Sequence, residues 1–176
     1  MSFRAFILKD YMNYYSEKVI FLRKRIQETS SKTTKFFLWR RYNRLLFKCQ
    51  SFLPLSEAIN NDIVFPHGLS GIFISNGATI GAGCVIFQQV TIGSNSLADS
   101  KNKGYPVIGN NVYIGAGAKI IGNVEVGNNV RIGANAVVTK DIPENSTVVG
   151  SNIIIKHNHI LDNSFIVFKE KEKDEK

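Results

Sequence analysis

Three histidines are the residues of this chain best suited to proton or metal chemistry, and their spacing divides them into two sites: His67 alone, and His157 with His159 in a His-Asn-His run. His67 lies in the segment Phe65-Pro66-His67-Gly68-Leu69-Ser70-Gly71-Ile72. An imidazole titrates near neutrality, so a histidine held beside a hydroxyl can take its proton during nucleophilic attack and return it to a leaving group. The competing reading is a histidine that is merely hydrogen-bonded at a turn. His157 and His159 offer only two imidazoles, and a site built of three histidines would need His67, which is remote in sequence. The two cysteines, Cys49 and Cys84, form neither a ligand pattern nor a disulfide pattern, so both read as structural and no metal is expected.

The elements that must position His67 follow from a period. Isoleucine or valine recurs every six residues at Ile74, Ile80, Ile86 and Ile92, then at Ile108, Ile114, Ile120, Val126, Ile132 and Val138. Six fits neither a helix at 3.6 nor an alternating strand at 2.0, but suits a short flat strand followed by a tight corner. Glycine follows the aliphatic residue at Gly81, Gly93, Gly109, Gly115, Gly127 and Gly133, where a corner favours a residue without a Cβ. Four places further on the residue is small or β-branched, as in Ala78, Cys84, Val90, Val112, Ala118, Val124, Val130 and Ala136. Two inward positions per face describe a narrow prism with three faces per coil, in which stacking buries a column that no single repeat buries alone. The step from Ile92 to Ile108 is sixteen, so about ten residues drawn from Ser94 to Gly104 must leave the prism as a loop.

With the run Ile-Gly-Ala-Gly-Ala-Lys at Ile114 to Lys119, the chain resembles the left-handed parallel β-helix of the hexapeptide-repeat acyltransferases. Residues His67 to Gly150 resemble more closely the serine acetyltransferase branch and the short O-acetyltransferases encoded with bacterial capsule and exopolysaccharide genes. The expected fold is therefore mainly β, a left-handed parallel β-helix with an N-terminal helical segment. The resemblance implies acetyl-CoA as donor, a homotrimer, and His67 as general base for direct transfer to a hydroxyl. Donor contacts fall on Gly93 and Ser94 at the start of the loop, on Ala116 and Ala134 in the two Ile-Gly-Ala corners, and on Arg131, with Arg131 or Lys156 meeting phosphate oxygens. The other reading of these positions is ordinary corner residues of a solenoid.

On the acceptor side the chain departs from the serine acetyltransferases. The aspartate that orients their histidine falls on Phe52, leaving Glu57 or Asp62 as substitutes; the acidic residue before the histidine is Pro66; and the Arg-His pair ending their loop aligns with Gly104-Tyr105. A zwitterionic amino acid needs partners for both its charges. The expected acceptor is therefore a sugar of a capsule or other surface glycan, held by Gln88, Gln89, Asn95, Asp99 and Tyr105, with serine as the alternative. A non-catalytic scaffold subunit is the alternative of another class, and a γ-type carbonic anhydrase using the histidines is a third.

Length and composition, with 44% hydrophobic residues in 176, allow one sizeable core with an appendage: a helical segment at 1–50, the β-helix at 51–160 and a charged tail at 161–176. The helices are expected at Phe3–Gln27 and Thr33–Cys49, with Ser31 or Thr33 as a cap. Arg4 and Lys9 interrupt any secretory signal, and no apolar run reaches membrane-spanning length, so a cytoplasmic location is expected. The net charge of +8 is concentrated in KTTKFFLWRRYNRLLFK, Lys32 to Lys48. That pattern suits a helix packed on its neighbour or on the base of the prism, with higher assembly through such helices, or a helix lying on an anionic membrane at its inner face. No nucleic-acid motif accompanies the charge.

Overall fold

The computed structural model describes residues 3–161 and 163; the tail expected at 161–176 falls, apart from residues 161 and 163, outside them. Two helices, α1 (Phe3–Glu28) and α2 (Lys32–Lys48), precede thirteen short strands. Ser31 caps α2, its hydroxyl accepting from the Thr34 N–H at 3.4 Å. The strands are β1 (Ile63–Val64), β2 (Phe73–Ile74), β3 (Thr79–Ile80), β4 (Cys84–Ile86), β5 (Thr91–Gly93), β6 (Val107–Ile108), β7 (Tyr113–Ile114), β8 (Lys119–Ile121), β9 (Glu125–Val126), β10 (Arg131–Ile132), β11 (Val137–Val138), β12 (Ser146–Val149) and β13 (Ile153–Lys156). They form three faces: β2-β5-β8-β11 the first, β3-β6-β9 the second, and β1-β4-β7-β10-β12 the third, each paired in parallel. This is the left-handed parallel β-helix that the six-residue period predicts. Strand β13 reverses and pairs antiparallel with β12, ending the parallel stacking.

Register shows how the coils are built. Phe73 pairs with Thr91, Val107 with Glu125 and Tyr113 with Arg131, eighteen residues apart, so a regular coil is three six-residue faces. Across the loop the offset is twenty-eight, as for Thr79 with Val107 and Thr91 with Lys119. Ten residues therefore leave the prism, pinched at their base where Asn95 and Gly104 exchange backbone hydrogen bonds of 2.9 and 3.0 Å. The first coil is longer than the rest by three: Ile63 pairs with Cys84 and Ile59 with Ile80 at an offset of twenty-one, while Gln89 already bonds back to Ser70. The surplus lies at Pro66-His67-Gly68, a bulge that lifts the histidine out of the wall.

All ten aliphatic residues of the period are 0–2% exposed, as are the eight small or β-branched partners. Full burial of each isoleucine or valine is worth about 1.5–3 kcal/mol, more than a single corner hydrogen bond, so the column sets the fold and the corners are free to vary.

The open lower end of the column is closed by the helices. Arg23 of α1 is fully buried; its Nε donates to the Pro54 carbonyl at 2.9 Å, and its Nη groups donate to Ser56 O, Ile59 O and Asn61 Oδ1. Burial lowers its pKa. Tyr42 of α2 donates to Leu53 O at 2.6 Å, and Leu45 and Leu46 pack beside it. The helices therefore dock on the base of the prism, as one of the two readings of the basic segment required. Phe36, Phe37 and Phe47 remain exposed on α2 among Arg40, Arg41 and Arg44. Among the described residues no helix is long and apolar enough to cross a membrane.

Candidate functional site

Three corners join the faces, and each has its own chemistry. Corner I joins the third face to the first and carries the His67 bulge, then Gln88, Ala116 and Ala134 on successive coils. Corner II joins the first face to the second and carries the loop. Corner III joins the second to the third and is lined by asparagines.

At corner I the exposed His67 ring meets Gln88, with Nδ1 2.7 Å from Oε1, and stands edge-on to Phe87 at 5.3 Å between centroids. Phe87 in turn contacts the Tyr113 ring at 5.1 Å. The bulge is anchored by buried Phe65 and Leu69 and by the Gly68 N–H donating to Phe65 O at 2.9 Å. Gly68 and Gly71 take positive φ angles of 69° and 64°, which the reversal requires. Above Phe87 a groove of about 420 Å³ runs up the wall, lined by Phe87, Tyr113, Ala116, Arg131, Ala134 and Thr147. Alanine at both corner positions keeps it open.

The structure thus sets His67 against Gln88, with Phe87 joining them to the groove of Ala116, Arg131 and Ala134 and with Gln89 in the same corner, and leaves the remaining candidates elsewhere. Gln89 is in the left-handed region at φ 61°, and its carbonyl accepts from Lys119 Nζ at 2.7 Å. Ser94, Asn95, Asp99 and Tyr105 belong to corner II, with the first face between them and His67, and Gly93 ends that face as the last residue of β5. The Asn95 side chain is used inside the loop, by Ser100 Oγ and the Leu97 N–H. Asp99 is exposed, and the Tyr105 ring lies where a Cβ on Gly77 would be. Lys156 is exposed on β13, outside the groove lining. Arg131 is half-buried and its Nε donates to Asn163 Oδ1 at 2.8 Å, so the guanidinium expected to meet phosphate is already held by the chain.

Neither carboxylate considered for orienting His67 reaches it along the fold. Asp62 begins the third face at corner III, where its carbonyl accepts from the Gly83 N–H, and Glu57 precedes the second-face bridge of Ile59 with Ile80. Gln88, expected to hold the acceptor, is the side chain that meets the ring, a contact made through the bulge.

His157 bonds Thr147 Oγ1 through Nε2 at 2.8 Å, and its ring lies 5.6 Å from that of His159. Among the described residues no three of His, Cys, Asp and Glu gather as metal ligands would. Cys84 is fully buried, and burial pushes its thiol up to about 11, as befits a core residue.

Residues 105–140 match the family model for bacterial transferase hexapeptide (six repeats). A serine acetyltransferase from Synechococcus elongatus is 44% identical over 92 residues, covering 52% of this chain and 36% of that protein. The solved serine acetyltransferase of Neisseria gonorrhoeae in complex with serine superposes with a TM-score of 0.56 at 30% identity, over 75% of this chain and 52% of that one. A solved serine acetyltransferase in complex with CoA gives a TM-score of 0.57 at 27% identity, over 78% and 55%. The chain spans little more than a third of this curated relative and about half of each solved chain.

These matches overturn the glycan acceptor expected from the sequence: the similar proteins acetylate serine, and none of these likenesses points to a capsule enzyme. The expectation rested on charged residues missing at Pro66 and at Gly104-Tyr105. Charge partners for a small amino acid need not occupy fixed positions, and the loop carries Asp99, Lys101 and Lys103 in between. What the chain is similar to, in sequence and in fold, is the β-helical part of a serine acetyltransferase.

Proposed function

We propose that the chain is an acetyl-CoA-dependent serine O-acetyltransferase. The observation that carries the reading is corner I, where an accessible histidine stands edge-on to Phe87, whose ring lines a groove that Ala116 and Ala134 keep open, in a fold similar to serine acetyltransferases solved with serine and with CoA. His67 takes the proton of the serine hydroxyl as its oxygen attacks the thioester carbonyl. The tetrahedral intermediate then collapses, the carbon–sulfur bond breaks, and the imidazolium returns the proton to the departing CoA thiolate. O-acetylserine and CoA are the products, with no acetyl-enzyme between them.

The acetyl-CoA arm lies in the groove against Ala116 and Ala134, with Arg131 at its edge. Serine brings an ammonium and a carboxylate; Asp99 and the loop lysines Lys101 and Lys103 supply opposite charges. Since the loop leaves corner II and His67 stands at corner I, a homotrimer that sets one prism's loop beside the next prism's histidine completes the site. Asn95 and Tyr105 then border the acceptor and Gly93 and Ser94 the donor, rather than touch the histidine of their own chain.

CoA release from acetyl-CoA with and without L-serine tests the reading. Serine-dependent release, lost in His67→Ala with the fold retained, is the expected result. Release that ignores serine, or persists undiminished in the variant, overturns it.

A further inference from the structure

We infer that Gln88 is the positioning residue of His67, a neutral amide in the place where a carboxylate would otherwise orient a catalytic imidazole; the inference rests on His67 being the base. Gln88 Oε1 lies 2.7 Å from His67 Nδ1. An amide oxygen only accepts, so the bond requires the proton on Nδ1. The lone pair is then on Nε2, the nitrogen that Gln88 leaves free to receive the hydroxyl proton. Turned the other way, the amide N–H₂ would occupy the Nδ1 lone pair and leave a proton on Nε2, where it cannot act as base.

The corner is built to hold this amide still. The Gln88 carbonyl accepts from the Gly117 N–H at 2.9 Å, and the Gln89 N–H donates to Ser70 O at 2.8 Å, so the residue is bonded to the coil above and its neighbour to the coil below. Lys119 Nζ joins the Gln89 and Gly117 carbonyls at 2.7 and 2.9 Å, tying Gln88's own coil to the one above. Phe87 closes the other side of the imidazole by its edge contact. Among the described residues no carboxylate forms an ion pair with His67. The amide therefore fixes the ring's orientation and tautomer without placing a charge beside it.

Nitrogen-15 NMR of histidine-labelled full chain, with His67 assigned by its loss in His67→Ala, reads this directly and without substrate. The wild type should show the neutral ring protonated on Nδ1. Gln88→Met, of similar length and without an acceptor, should lose that preference, while Gln88→Glu should keep it and raise the His67 pKa by roughly one unit or more. In the serine assay Gln88→Met should lower kcat about tenfold or more with the KM for acetyl-CoA within about twofold, and Gln88→Glu should move the acid limb of the kcat profile upward with the NMR pKa. An Nδ1 without its proton in the wild type, or a His67 pKa unmoved by Gln88→Glu, overturns the inference. Because the NMR needs no turnover, failure of the pair is distinguished from failure of the serine reaction, which shows as absent CoA release beside an intact Nδ1–H signature.

Discussion

Corners I and III are made by the same six-residue period and end as different surfaces. At corner III the Asn110 side chain accepts from the Ala82 N–H and the Asn128 side chain from the Asn110 N–H, both at 2.8 Å, so each coil's corner satisfies the backbone of the one below. At corner I the equivalent residues of the upper coils are Ala116 and Ala134, whose methyl groups accept nothing and take up little room. The backbone there lines a groove instead of a sealed edge. A solenoid can thus vary one corner residue without touching the buried column, and the choice between asparagine and alanine decides whether a corner is structural or able to receive a ligand.

The largest expected change comes from removing His67, the proposed base at corner I. His67→Ala should lower kcat about a thousandfold in the CoA-release assay, with a thermal melt matching the wild type, because the side chain is exposed. Next, converting corner I toward corner III should erase the contrast. In Ala134→Asn the new side chain can reach the Ala116 N–H as Asn128 reaches Asn110, filling the groove and raising the KM for acetyl-CoA about tenfold while the melting temperature holds or rises slightly.

The reverse change should act on stability alone. Asn128→Ala leaves the Asn110 N–H to water and should cost about 1 kcal/mol, a fall of roughly 2–4 °C in melting temperature, with serine-dependent turnover unchanged. The effect expected at Cys84 is nil near neutrality and appears only in alkali; the residue closes against corner III with Sγ 3.3 Å from Gly109 O. Its thiol, raised to about 11 by burial, keeps a proton that the unfolded chain releases from about 8.5 upward. Its contribution to stability is therefore complete below that pH and declines as pH rises toward 11. Melting curves from pH 8 to 10.5 should show Cys84→Ala losing less stability than the wild type.

Much of the fold was legible because a buried column leaves a strict record. Each inward position tolerates only a few aliphatic sizes, so Ile74 to Val138 declare the faces, and the break after Ile92 declares a loop whose length agrees with the observed register. Glycine was legible for a related reason: a Cβ on Gly115 would come within 2.6 Å of the Ala134 nitrogen on the next coil. The left-handed positions two residues later were not foreseen, since Gln89, Asn111, Asn129 and Asn135 are not glycine and their positive φ belongs to the corner geometry. The same counting could have exposed the His67 bulge, because Phe65 to Ile74 spans nine residues where the period requires six.

The sequence by itself determined the prism, its one long loop and the residue able to act as base, since periodicity and side-chain chemistry are local properties of the chain. Which residues share a corner was decided only by tertiary structure. Counting along the chain exposes the three-residue bulge, but it is the stacking of the next coil on it that sets His67 against Gln88 rather than Asp62 or Glu57. Stacking likewise gathers Ala116, Arg131 and Ala134 beside that pair and sends Asn95, Asp99 and Tyr105 to a different corner, because position around a coil depends on residue count modulo the coil length and not on nearness in the chain.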